Sequence, residues 1–373
     1  MRAILFALLV LFPGASFADA YIRCVQNQLT SLGYDAGGAS GKLTGQTKAA
    51  AAGYIAKKGN VLPTLTQRTA LTWCRGLGDK HRKLRKLQPS AQPAKVFIDK
   101  DPDGKRAALL AKALHKSRSF FVGKFKIYPA SQIDIVGGDS QKAIIDNLIK
   151  ARNGRGDEVR GLRNALREHC SDKEKFGGFE IRNQLVMCWP DSDLKQSAWV
   201  RKMNEVTGEV MVHEFAHHVQ RELSNDKNAR LTRNLREHPM GPSWLVEGVA
   251  VYAEFQFYAS RNEVRLFNAS VMQQKYDGPG HSLSKLHSGT QIRKAEDAYT
   301  LAYFAALILA ERTSPRDLFK FWEYSGMGLS WDESFRRAYG IGLREFERAF
   351  DKSLRSDTAA LRAFIRSGTL PQG

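Results

Sequence analysis

The chain has 373 residues, 57 Lys and Arg against 38 Asp and Glu, and a formal net charge of +19. The length suits two domains, and such a basic surface favours anionic partners: wall polymers, lipid headgroups or acidic proteins, with plain solvation as the alternative. No stacking-aromatic module or recognition motif accompanies the charge, which argues against nucleic acid, and after the N-terminus no apolar run reaches the roughly eighteen residues of a transmembrane helix.

Residues 1–18 read as a secretory signal peptide. Arg2 supplies the charge, Ile4–Phe12 the apolar run and Ser16-Phe17-Ala18 a small-x-small cleavage site. The mature protein is then exported, to a periplasmic or extracellular location. Four cysteines in an exported chain read as disulfides, with buried free thiols as the alternative. Of three connectivities, Cys24 with Cys74 and Cys170 with Cys188 keeps each bridge within one domain.

Residues 19–78 read as a small helical domain. Val25, Leu29 and Leu32 mark one helix face, closed by Gly33-Tyr34-Asp35. A Gly-rich turn runs from Gly37 to Gly45. Thr47–Ala56 reads as a second helix, capped by Thr44 or Thr47, and Thr66–Trp73 as a third. The order V-Q-x-x-L-x-x-L-G-Y-D-x-G, then S-G-K-L-T-G-Q-T-x-x-A, resembles the peptidoglycan-binding domain attached to many wall enzymes. That resemblance implies peptidoglycan as a partner. Ser40 stands where the family usually has Asp, and a generic three-helix bundle without wall affinity is the alternative. Residues 79–94 form a basic linker containing Pro89 and Pro93.

In residues 95–373, Ala107–Lys116 and 141–151 read as helices. Lys124–Tyr128 and Ile133–Val136 read as short strands around Pro129, and Gly154–Gly161 as a charged loop. Phe179–Trp189 reads as one strand, stopped by Pro190-Asp191. Met203, Val206, Val210, Phe215, Val219 and Leu223 mostly follow helical spacing, and a polar segment from Ser224 to Met240 ends that helix. The helix carries His213-Glu214-Phe215-Ala216-His217, an H-E-x-x-H pattern. Positions i and i+4 share one helical face about 6 Å apart along the axis, so two imidazoles there can hold one cation. Pro242 opens another helix, on which Glu247 is a carboxylate among apolar neighbours and therefore needs a partner. Ala295–Glu311, with Tyr299 and Tyr303, is strongly apolar. Pro315–Trp322, Trp331–Tyr339 and a helix beginning at Gly340–Glu347 follow.

H-E-F-A-H followed by W-L-V-E-G-V-A resembles the gluzincin metallopeptidases, the peptidase-MA-like group. The thirty positions from His217 to Glu247 exceed the aminopeptidase spacing and fit the looser peptidase-MA group. The resemblance implies an α+β, zincin-like domain, a small mixed sheet beside a helical lobe, with one Zn²⁺ per chain between them. Its ligands are His213, His217 and Glu247, and Glu214 is the general base. Tyr299 is the candidate oxyanion donor and Tyr303 its rival, with core packing as the alternative for both. Phe179–Cys188 is the strand bordering the cleft. Glu254 either orients a ligand histidine or is a solvated surface residue; His218 has no role. The activity implied is that of a zinc metallopeptidase acting on proteins or peptides. Without a G-x-M-E-N-like amine-binding motif, endopeptidase is favoured. The alternative is a catalytically silent protein on the same scaffold that binds peptidoglycan or an anionic polymer, against which the intact Glu214 argues.

Overall fold

A computed structural model describes residues 17–58, 62–74, 76–77, 94–101, 103–129, 131–153, 163–170, 177–181, 183–189, 196–224, 240–258, 282–294, 298–327 and 329–354. Residues 1–16 of the expected signal peptide, the linker up to residue 93, the 154–161 loop, Pro190-Asp191 and residues 225–239 lie outside them. The chain is mixed α+β, mostly helical, with one four-stranded sheet among the described residues. No described helix is long and apolar enough to cross a membrane. The chain divides into two compact units, Met1–His81 with Met327–Ser330 and Arg82–Gly326 with Trp331–Gly373.

In the first unit, α1 (Phe17–Ser31), α2 (Gly45–Lys58) and α3 (helical residues 70–74 and 76–77) close on a core of Ile22, Val25, Leu29, Tyr54, Trp73 and Leu77. The turn between α1 and α2 is organised by buried Gln26. Its amide donates to the Lys42 carbonyl at 2.9 Å and to Thr47 Oγ1 at 3.0 Å, and its Oε1 accepts from Gly41 N–H at 2.9 Å. Thr44 caps α2 by accepting from Thr47 N–H at 3.1 Å. α3 starts later than the predicted Thr66. Thr66 and Thr69 exchange side-chain bonds with each other's backbone N–H, at 2.8 and 3.1 Å, and so form the turn before the helix. The Cys24–Cys74 disulfide ties α1 to α3.

The second unit is built on a sheet of order β1-β2-β4-β3, comprising β1 (Val96–Phe97), β2 (Asp134–Gly138), β3 (Gly177–Ile181) and β4 (Gln184–Cys188). β1, β2 and β4 run parallel; β3 is antiparallel to β4 and lies at the edge. The predicted single strand Phe179–Trp189 is thus two strands, reversed at Asn183, whose φ of 67° is one that asparagine tolerates. Lys124–Tyr128 is not a strand. α4 (Lys105–Phe120) runs on into a π-helical turn, Phe121–Phe125, which places two phenylalanines four apart on one buried face. Phe121 packs on Phe215 and Phe319, and Phe125 on Phe319; this aromatic packing overrides a short alternating pattern.

Alternation along the strands puts helices on both faces of the sheet. Ile135, Leu185 and Met187 face the main core, with Met211, Val212, Phe215 and Val219 of α7 (Gln196–Ser224). Val136, Phe179, Val186 and Cys188 face α5 (Gln141–Ala151) and α6 (Arg163–His169). The Cys170–Cys188 disulfide fastens the residue after α6 to the end of β4. Beyond α7, α8 (Ser243–Tyr258) packs between α7 and α10 (Ala298–Arg312), with α9 (Gly289–Lys294) preceding α10. The predicted Pro315–Trp322 helix is a 3-10 turn, Asp317–Phe319, leading into α11 (Lys320–Gly326); α12 (Trp331–Tyr339) and α13 (Leu343–Leu354) complete the unit.

Candidate metal centre

His213 and His217 stand one turn apart on α7, their ring centroids 4.8 Å apart. α8 brings Glu247 opposite them. Its Oε2 lies 3.3 Å from His213 Nε2 and 3.4 Å from His217 Nε2. The remaining ring nitrogens are engaged from behind: His213 Nδ1 by Glu254 Oε2 at 3.3 Å, and His217 Nδ1 by Gln220 Oε1 at 2.9 Å. Gln220 is itself held by the Val246 carbonyl, which accepts from its Nε2 at 2.9 Å. Both Nε2 atoms therefore converge on one carboxylate oxygen.

α8 is held in place at two points. Trp244 Nε1 donates to Glu347 Oε1 at 2.9 Å, inside the core. Three residues before Glu247, this bond fixes the start of the helix to α13. On the other side, Gly248 touches α10 backbone to backbone. A Cβ at this position would run into the Ala302 carbonyl, so glycine is what lets the two helices approach.

The three side chains are not sealed in the core. They are 15, 12 and 21% exposed and line a cavity of about 250 Å³. Glu214, 7% exposed, and Tyr299 in the first turn of α10 line the same cavity. Tyr303 is fully buried against Phe255, with ring centroids 4.8 Å apart, and is a core residue. His218 turns away from the cluster and is fully buried, Nδ1 3.9 Å from Glu180 and Nε2 3.5 Å from Glu222.

The electrostatics favour a cation at the centre. Burial alone would drive protons off both imidazoles, but hydrogen bonds donated to Glu247 and Glu254 raise the His213 pKa well above its ordinary value, and the Glu247 charge raises that of His217. Burial pushes Glu247 upward, yet the two imidazoles hold it well below the carboxylate range. The same negative surroundings that favour protons on two histidines favour a divalent ion between them, so His213, His217 and Glu247 are a group that could hold a metal. Burial raises the pKa of Glu214, against the opposing pull of His217 and His213.

Four further polar or charged cavity residues were not singled out by sequence reasoning: His169, Glu180, Arg221 and Ser243. His169 precedes Cys170, and its place follows from the disulfide. A glutamate between Phe179 and Ile181 in a strand pattern was the one available hint for Glu180. Within the expected cleft strand, the part at the cavity is β3, through Phe179 and Glu180, while β4 lies inside the sheet. No family model, no curated protein and no solved structure matches the chain.

Proposed function

We propose that the second unit is a zinc-dependent peptidase of the gluzincin kind, with one Zn²⁺ per chain on His213, His217 and Glu247. The observation that carries this reading is the convergence of two oriented Nε2 atoms on one Glu247 oxygen, in a cavity that also holds Glu214. The donor set of two imidazoles and one carboxylate suits zinc, and ligands about 2.0–2.1 Å from a tetrahedral ion stand about 3.3–3.4 Å apart. The separations of 3.3 and 3.4 Å support that fit.

Zinc supplies a Lewis acid that polarises a carbonyl and lowers the pKa of bound water. Glu214 takes the proton of the attacking water and passes it to the leaving amine. A carboxylate whose pKa is raised by burial is better suited to both transfers at neutral pH. Tyr299, 37% exposed at the cavity wall, donates a hydrogen bond to the oxyanion as it forms. The substrate is a protein or peptide, cut internally. Two disulfides support an exported enzyme, and the first unit is proposed to hold peptidoglycan.

The test combines metal content with turnover. Protein from zinc-supplemented expression is expected to carry about one equivalent of zinc. It should cleave peptides, and Glu214→Gln should keep the metal and lose the cleavage. Zinc below about a tenth of an equivalent overturns the reading.

A further inference from the structure

Gln220 follows His217 by three residues on α7, a spacing that puts both on one face, and it is fully buried. Its Oε1 lies 2.9 Å from His217 Nδ1, and its Nε2 donates to the Val246 carbonyl at 2.9 Å. Val246 is the residue before Glu247 on α8. One side chain thus runs from one candidate ligand to the backbone beside another. A carboxylate presents an acceptor whichever way it turns, as Glu254 does behind His213. An amide has a donating end and an accepting end, and turning it over exchanges them. With its NH₂ group toward His217, Nδ1 could only accept. A neutral ring would then carry its proton on Nε2, where it blocks a metal. The Val246 carbonyl removes that choice. A carbonyl only accepts, and an amide oxygen turned toward it would leave two buried acceptors facing each other unpaired. The NH₂ group therefore faces Val246, Oε1 faces Nδ1, and Nδ1 holds the proton. The lone pair of Nε2 is left for a metal, on the side where Glu247 Oε2 lies 3.4 Å away.

We infer that Gln220 is a positioning residue, through which the Val246 carbonyl sets His217 to bind metal by Nε2. This rests on the zinc reading of the same site and asks nothing of the substrate. A tie between α7 and α8 needs only the bond to Val246. The second bond, to Nδ1, carries the orientation of that amide onward to the ring, so that the backbone next to one ligand decides which nitrogen of another is available.

The experiment uses the full mature chain loaded with zinc and reads the zinc dissociation constant by competition with a chelator. Gln220→Met keeps the length of the side chain and removes both bonds. Gln220→Glu keeps an acceptor for Nδ1 and removes the amide donor to Val246. Gln220→Met is expected to bind zinc about 10–100-fold more weakly than the wild type, the range for losing a partner behind a ligand histidine. Gln220→Glu should stay close to the wild type. Equal weakening in the two variants makes Gln220 a tie between helices and overturns the inference, as does an unchanged constant in Gln220→Met. A second measurement needs no variant to fold. The ring nitrogen chemical shifts of His217 in the zinc-loaded wild type should place the metal on Nε2 and, on Nδ1, a proton that exchanges slowly with water; metal on Nδ1 overturns the inference. Peptide turnover separates this inference from the peptidase reading. Zinc affinity that depends on Gln220 without wild-type cleavage retains the inference and rejects the peptidase. Cleavage by a protein whose zinc affinity ignores Gln220 does the reverse, and a wild type that binds no zinc rejects both.

Discussion

Glu254 Oε2 reaches His213 Nδ1 at 3.3 Å, from two turns beyond Glu247 on the helix that supplies Glu247 to the opposite nitrogen of the same ring. One helix thus fixes both sides of one imidazole, and Glu254 is a partner of the site rather than a solvated surface residue. A carboxylate behind a ligand histidine fixes its tautomer and raises its basicity, and losing it typically weakens metal affinity about 10–100-fold. Glu254→Ala is therefore expected to release zinc to a competing chelator in that range, with the thermal melt of the metal-free protein little changed. Equal chelator titrations for both proteins would show that Glu254 does not support the metal.

Glu247→Ala and Glu214→Gln should separate. The first removes a ligand, so elemental analysis should find little zinc after dialysis. The second keeps all three ligands and loses only the proton acceptor, so zinc should stay near one equivalent while turnover disappears. Substantial turnover in Glu214→Gln would remove it as the base.

Tyr299→Phe is expected to lower kcat by about 10²–10³ while KM moves little, because a bond to an oxyanion forms mainly in the transition state. Tyr303→Phe should behave oppositely, keeping its rate and changing the thermal melt, since the ring lies in the core against Phe255. Rate loss confined to Tyr303→Phe would transfer the role one turn along α10.

Glu180 should mark the acid limb of stability. Burial pushes its pKa up, but His218 and Arg221 outweigh that and hold the carboxyl below its ordinary 4.5. A group with a depressed folded-state pKa contributes stability above its unfolded value, and that contribution is lost as pH falls through the folded value. Urea unfolding of the wild type should therefore weaken below about pH 4.5 more steeply than that of Glu180→Gln, which should be the less stable of the two at neutral pH. Parallel pH curves would remove Glu180 from the acid response.

α5 and α12 stand at the bounds their patterns predict, Gln141–Ala151 and Trp331–Tyr339. Each is amphipathic, and Ser140 caps α5 by accepting from Ala143 N–H. The pairing of His213 with His217 and the need of Glu247 for a partner were equally legible, because helical spacing and the cost of a lone buried carboxylate are local facts. The π-helical turn at Phe121–Phe125 was not, since the aromatic cluster that pays for it comes from Phe215 and Phe319, far along the chain. The hairpin at Asn183 was hidden because both of its strands are apolar enough to read as one. Arg221 looked like any surface arginine of a basic chain; only the fold brings Glu180 to it.

The seam between Gly248 and Ala302 has a consequence for how such a cleft can diversify. Glu247 lies next to that glycine, and Tyr299 sits one turn before the alanine, so the gap between the Glu247 carboxylate and the Tyr299 phenol is set by two backbones in contact. Changes at Arg221, Phe179 or Ile292 can alter the lining of the cavity while its width stays the same. Widening it requires parting two helices, and any side chain larger than hydrogen at position 248 does that at the expense of the site. Divergence in this scaffold is therefore expected to run through the side chains that line the cavity long before it reaches the spacing between Glu247 and Tyr299.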